Sequence, residues 1–344
     1  MVRSDPPAHG GRLNQAARRW GIPREQWLDL STGINPNGWP VPSVPEVVWQ
    51  RLPEEDDGLA AAIRGWTGAP EAAVCIPVAG SQAAIQALPE LRARCRVGVP
   101  HPGYQEHRHA WQVAGHRVRR LAIEDMMAGE AWLDELDVLV WIQPNNPTGV
   151  GIEPARLLSW YRRLAARGGW LVVDEAFAEG LDSLSLAQWA GQPGLVILKS
   201  LGKFYGLAGL RAGAALTDPH LGDGLSRRLG PWALSGPARY LMAQAIADRP
   251  WQDQAVARLW RDSERLQTLL AAQGMAPAGG SLLFQYVRHP RAGVLAEALA
   301  EHGILVRVFD QPPALRFGLP ATEAQWHRLS ATLTKVIDRL IASW

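Results

Sequence analysis

Between residues 70 and 217 the chain alternates short apolar runs with stretches of helical period, and this alternation limits the possible folds more than any other feature. "AAVCIPV" leads into the helical "SQAAIQALPEL", and "RVGVP", "LDVLVWIQ" and "WLVVDEA" follow, the last two separated by the amphipathic "EPARLLSWYRRLAARG". "GLVILKS" and "RAGAALT" close the series. Continuous apolar runs alternating with helices call for a mainly parallel sheet covered on both faces, and such sheets collect ligands at the carboxyl ends of their strands. After Asp218 the pattern changes. A long helical region to about Gln273 precedes three strand-like runs, "SLLFQYV", "GILVRVF" and "PALRFGL", and a final helix passes through "EAQWHRLSATLTKVIDRLI". The fold class is therefore α/β with a smaller α+β domain. The expected division is an N-terminal arm over 1–50, serving the small domain and the substrate site, a large domain over 51–225 and a small domain over 226–344. The proline-rich segment from Gly33 to Pro53 reads as an extended arm, packed on the second lobe or on a partner subunit.

Composition removes several classes of function. A length of 344 residues with 47% hydrophobic and 20% charged residues suits a soluble chain with two lobes and a large core. A net charge of +2 with no block of Lys or Arg gives no face for nucleic acid. Cys75 and Cys95 make no disulfide framework, and no secretory signal or long apolar run is present, so a cytoplasmic protein away from membranes is expected. Most of the 16 tryptophans are expected to fill core and interfaces.

Only three lysines occur, Lys199, Lys203 and Lys335, against many arginines, and two of them lie in "LKSLGKFYGLAGLRAG". This segment follows a buried strand. A lysine there can screen an anion, pair with an acid or form an imine with an aldehyde, and arginine does only the first two. Ser200, three residues before Lys203, and Arg211, eight after it, are placed to grip one phosphate, with Gly206, Gly209 and Gly213 letting the backbone close around it. An imine-forming lysine beside a phosphate grip is what pyridoxal 5'-phosphate (PLP) requires. Upstream, Gly80 and Ser81 precede a helix and offer backbone N–H groups to an anion. Asp174 ends a buried strand and needs a cationic partner, a role that a protonated pyridine nitrogen fills. Asn146 in "QPNNPTG" is a neutral donor for a phenolate oxygen, and Tyr104 in "PHPGYQEH" is placed to stack on a ring.

In this order along the chain, the features resemble the fold-type I PLP enzymes, and in particular the histidinol-phosphate aminotransferase branch. The resemblance implies a fold-type I PLP-dependent transferase-like fold with Lys203 as the cofactor-bound lysine. It also implies Asp174 on the pyridine nitrogen, Asn146 on the ring oxygen, and Gly80, Ser81, Ser200 and Arg211 on the phosphate. The opening "AHGGRLNQAARRWGIPREQWLDLSTGINPNG" resembles the threonine-phosphate decarboxylases of cobalamin (vitamin B12) biosynthesis. That likeness puts His9, Gly10, Asn35 and Asn146 at the substrate, together with Arg307 of "LVRVF" and Arg316 of "LRFG". Phosphothreonine carries a phosphate and a carboxylate, and planar guanidinium matches each. Arg316 is assigned to the carboxylate in the transaminase manner, and Arg307 and His9 to the phosphate, with the swapped assignment as the alternative in a decarboxylase.

The implied activity is decarboxylation of O-phospho-L-threonine to 1-amino-2-propanol O-2-phosphate by a homodimer. The alternative is an aminotransferase acting on a phosphorylated amino acid such as histidinol phosphate. Two positions depart from the family pattern. Phe177 stands where the aminotransferases carry a tyrosine donating to the ring oxygen, and Leu52 where relatives carry a tyrosine that reaches the partner's cofactor phosphate. A non-catalytic scaffold is disfavoured by the complete Lys203, Asp174 and Arg211 set. A metal site on His101, His107 and His109 is disfavoured by their spacing, which reads as a solvated histidine cluster.

Overall fold

The computed structural model describes Pro7 and residues 9–342. Among these, the strands are β1 Leu28–Asp29, β2 Val74–Val78, β3 Arg96–His101, β4 Arg117–Ala122, β5 Val138–Ile142, β6 Trp170–Asp174, β7 Leu195–Ser200, β8 Gly213–Thr217, β9 Gly279–Ser281, β10 Phe284–Arg288, β11 Ile304–Leu305, β12 Arg307–Asp310 and β13 Pro313–Gly318. They fall into two compact units. One comprises Trp39–Asn146 and Val150–Gln252; the other comprises the arm from His9 to Gly38, Pro147–Gly149 and the chain from Asp253 onward.

The first unit is built on a seven-stranded sheet in the order β2-β8-β7-β6-β5-β3-β4. β3 to β7 run parallel to one another, whereas β8 is antiparallel to both β7 and β2. Every residue of β5 and β6 is buried, because helices cover both faces and leave no solvent side on which polar residues could alternate. On one face, helices Ser81–Ala87, Gln105–Val113 and Pro219–Leu229 pack through Ile85, Trp111 and Leu225 onto Val78, Val140, Val172 and Leu198. Helix Pro154–Ala165 packs against β6 and buries Trp160 and Leu164. Each such fully buried large apolar side chain contributes about 1.5–3 kcal/mol.

The second unit contains the four-stranded antiparallel sheet β12-β13-β10-β9 and the short parallel pair β1-β11. Helices Arg249–Ala272, Ala292–Glu301 and Glu323–Ala342 accompany them, the first beginning in the other unit. The unit boundary after Gln252 differs from the expected one at 225–226, because helix Gly236–Ala247 packs on helix Leu59–Thr67. The expected 1–50 arm is likewise divided, at Gly38. Within the Gly33–Pro53 segment only Glu46–Gln50 is helical. Trp111, Trp141 and Trp160 fill the core as expected, while Trp49, Trp232 and Trp260 are exposed. No helix among the described residues is long and apolar enough to cross a membrane.

Candidate active site

The strand register of the first unit assembles a site at the carboxyl edge of its sheet. Val78 of β2 pairs with Gly213 of β8, and Gly213 pairs with Ser200 of β7. The turn after β2, the start of β8 and the end of β7 therefore lie side by side. The β7–β8 connection leaves and re-enters the sheet at this row, so Lys203 and Arg211 stay next to it. One strand further, Asp174 pairs with Leu198 of β7 and with Ile142 of β5, whose chain continues to Asn146. Tyr104 caps helix Gln105–Val113, just beyond the end of β3.

One cavity is lined by all eight residues expected at the cofactor: Gly80, Ser81, Tyr104, Asn146, Asp174, Ser200, Lys203 and Arg211. The donor set at one end suits a phosphate. Gly80 adopts φ 72° and ψ 157°, a region essentially restricted to glycine, and caps helix Ser81–Ala87 without any side-chain bond to its first N–H groups. A Cβ at Gly80 would meet an Arg211 guanidinium nitrogen at 3.0 Å, and one at Gly213 would meet the Ser81 nitrogen at 3.0 Å. Arg211 is itself held in a left-handed conformation, φ 54°, uncommon outside glycine. Ser200 Oγ accepts from Gly202 N at 3.2 Å, which turns the chain toward Lys203.

At the other end the chemistry suits a pyridine ring. Asp174, 3% exposed, accepts from Ala176 N at 3.1 Å on Oδ1 and from His107 Nε2 at 2.8 Å on Oδ2. Phe177 lines the cavity, and the Lys203 ammonium nitrogen lies 5.6 Å from the centre of its ring. The Tyr104 hydroxyl donates to Gln82 Oε1 at 3.2 Å, and Gln82 Nε2 donates to Glu106 at 2.7 Å. Burial, with Glu106 and Asp174 nearby, pushes the Tyr104 hydroxyl well above the usual phenol range, so it stays a neutral donor. A phosphate cradle, a buried carboxylate and an amine in one cavity are the groups that PLP requires.

His107 was read as part of a solvated cluster, and the structure corrects this. It is 1% exposed and bonded to Asp174. Its helical position three residues after Tyr104 is the one signal in the sequence that ties it to the site. His101 instead lies against Arg120 at 2.8 Å. No group of three metal-binding side chains occurs among the described residues. Leu52 is exposed.

The residues expected at the substrate belong to the second unit, Asn146 apart. Ser31, not anticipated from sequence, meets two of them, Gly10 and Arg316. A Cβ on Gly10 would meet Ser31 O at 2.3 Å, Gly11 N donates to Ser31 Oγ at 2.7 Å, and an Arg316 guanidinium nitrogen donates to Ser31 O at 3.0 Å. His9, half-buried, precedes Gly10. Asn35 is buried, its Oδ1 accepting from Asn37 N at 3.0 Å. Arg307 and Arg316 are directly opposite each other on β12 and β13. Like charges so placed destabilise a sheet, and a bound anion removes that cost. Burial, with Arg307 adding, pushes the Arg316 guanidinium down to about 9; burial and Arg12 also lower Arg307.

This architecture is that of the fold-type I PLP enzymes, and the comparisons with known proteins agree. Residues 52–343 match the family model described as aminotransferase class I and II, and the chain belongs to that family. A threonine-phosphate decarboxylase of Pseudomonas aeruginosa is 52% identical over 94% of this chain and 96% of its own. Another, from Sinorhizobium, is 41% identical over 97% and 99%. Among solved structures, a histidinol-phosphate aminotransferase from Sinorhizobium meliloti in complex with PLP superposes with a TM-score of 0.82 at 21% identity, covering 99% of each chain. An L-threonine-O-3-phosphate decarboxylase from Porphyromonas gingivalis does so at 0.75 and 19%, covering 90% of this chain and 99% of that one.

Proposed function

We propose that this protein is a PLP-dependent decarboxylase that converts O-phospho-L-threonine to 1-amino-2-propanol O-2-phosphate for cobalamin biosynthesis. The observation that carries this reading is 52% identity to a threonine-phosphate decarboxylase across 94% of the chain.

Bound PLP supplies an electron sink for the pair left at Cα when the carboxylate departs as CO2. The protein's residues do the rest. Lys203 holds the cofactor through its aldehyde carbon, a task arginine cannot perform. Its side chain would also be the amine placed to return a proton to Cα. Asp174 keeps the pyridine nitrogen protonated, and His107 fixes the orientation of that carboxylate. Asn146 donates to the ring oxygen, Tyr104 covers the ring, and Gly80, Ser81, Ser200 and Arg211 hold the phosphate. Phe177 withdraws the second donor that a tyrosine would give the ring oxygen. Arg316 takes the substrate carboxylate, while Arg307 and His9 take its phosphate, with Gly10 and Asn35 shaping the site. Arg316 would bind the carboxylate that is lost, and a grip too tight in the ground state would slow that loss.

We further propose a cytoplasmic homodimer. The exposed Val47, Trp49 and Leu52 on one short stretch support an interface there. Purified, PLP-loaded protein is to be given O-phospho-L-threonine with and without 2-oxoglutarate. Aminopropanol phosphate and CO2 without the keto acid are expected; glutamate formed only in its presence would make the protein an aminotransferase instead.

A further inference from the structure

On the opposite face of the two strands that carry Asp174 and Ser200 lies a buried cluster of charges with no part in the chemistry above. Side chains alternate along a strand, and Asp174 pairs with Leu198, so Asp174 and Ser200 share one face. Their sequence neighbours Glu175 and Lys199 point the other way. Lys199 Nζ lies 3.3 Å from Glu175 Oε2 and 2.6 Å from Glu179 Oε1, with side-chain exposures of 6%, 0% and 13% respectively. The Trp66 ring sits 5.4 Å from the ammonium. Glu175 also accepts from Ser185 Oγ at 2.7 Å and from Leu186 N at 2.6 Å. Burial alone would lower the pKa of Lys199, but Glu179 and Glu175 outweigh it and hold the ammonium above the ordinary lysine range.

Such a cluster is a weak source of net stability, since packed apolar side chains often replace buried ion pairs without loss. An apolar replacement lacks the directional contacts that clamp two particular strand ends together. Glu175 immediately follows Asp174, and Lys199 immediately precedes Ser200 and the loop that bears Lys203. We propose that Lys199, Glu175 and Glu179 are positioning residues for the cofactor. By clamping the ends of β6 and β7 they fix Asp174, the partner of the pyridine nitrogen, relative to Lys203, the partner of the aldehyde. The clamp also engages the amine of Lys199, and Lys203 is the only lysine lining the cavity. The inference rests on the cofactor part of the proposed function and is independent of which substrate bond breaks.

The test compares wild type, Lys199→Met and Lys199→Arg, each stripped and reloaded with PLP. It reads the dissociation constant for PLP, the pH at which the visible absorbance of the loaded protein changes, and the residue trapped by borohydride. Lys199→Met keeps chain length and removes the charge. It is expected to weaken PLP binding roughly 10- to 100-fold, as loss of outer partners does at other bound groups, and to displace the absorbance titration, with Lys203 still the trapped residue. Lys199→Arg restores both readouts toward wild type. A Lys199→Met protein that melts at a lower temperature yet binds and titrates as wild type would overturn the proposal. Should that variant not fold, Glu179→Gln removes one arm of the clamp and is judged by the same two readouts. Wild type that takes up no PLP would instead overturn the cofactor assignment itself.

Discussion

Lys203 and Asp174 are linked by what an aldehyde and a pyridine nitrogen demand, and substitutions at and around them separate those demands. Lys203→Arg keeps the charge and loses the amine. It is expected to eliminate the borohydride-trapped adduct and to cut turnover roughly 10²- to 10⁴-fold through loss of the proton donor. His107→Phe leaves one oxygen of the buried Asp174 without its partner. That change should cost about 1–3 kcal/mol in urea unfolding and lower turnover more than substrate affinity. The meeting of Lys203, Asp174 and Arg211 in one cavity was legible in the sequence because lysine scarcity, spacing and strand ends are local facts. The role of His107 was not, since its bond to Asp174 spans 67 positions and depends on burial. Ser31 escaped for the same reason: its contacts run to Gly11 and to Arg316, 285 positions away.

The pairing of strands decides which loops meet, and Gly80 shows how little tolerance that leaves. Its backbone lies in a glycine-only region, and a Cβ would press on Arg211. Gly80→Ala is expected to strain the turn by about 1–3 kcal/mol and to weaken PLP binding accordingly, read by titration of the stripped protein. Unchanged PLP affinity would remove this turn from the phosphate site. Six of the seven strands of the large sheet were readable as apolar runs between helices; β4, a mostly exposed edge strand that carries three arginines, was not. That β8 runs antiparallel was not, because an apolar run carries no direction. β1 and β9 escaped notice because they hold only two and three residues, the latter "GGS". Helix Gly236–Ala247 was legible as a helix, but its packing on Leu59–Thr67 is a long-range choice that moved the unit boundary.

At the scale of the molecule, each unit carries a different part of the proposed reaction: the residues proposed for the cofactor in the first, the arginines proposed for the substrate's anions in the second. The second part has its own pH signature. Burial, with Arg307 adding, pushes the Arg316 guanidinium down to about 9 in the folded chain, against the ordinary 12.5. Between these values the unfolded chain holds the extra proton, so this group's contribution to stability rises with pH there; its penalty is fully present below about 9. Anion binding needs the charged form and runs the opposite way. Affinity for O-phospho-L-threonine, measured by calorimetry, should fall about tenfold per pH unit above the Arg316 transition. An Arg316→Gln variant should bind weakly at every pH and lose that break.

The decarboxylase reading is tested most directly in D2O, with O-phospho-L-threonine labelled with ¹³C at the carboxyl carbon and no keto acid present. The account expects labelled CO2 and bicarbonate in step with aminopropanol phosphate carrying a single deuterium at the former Cα. No labelled CO2 in that mixture, with the label passing into a keto acid once 2-oxoglutarate is added in a second run, would contradict it.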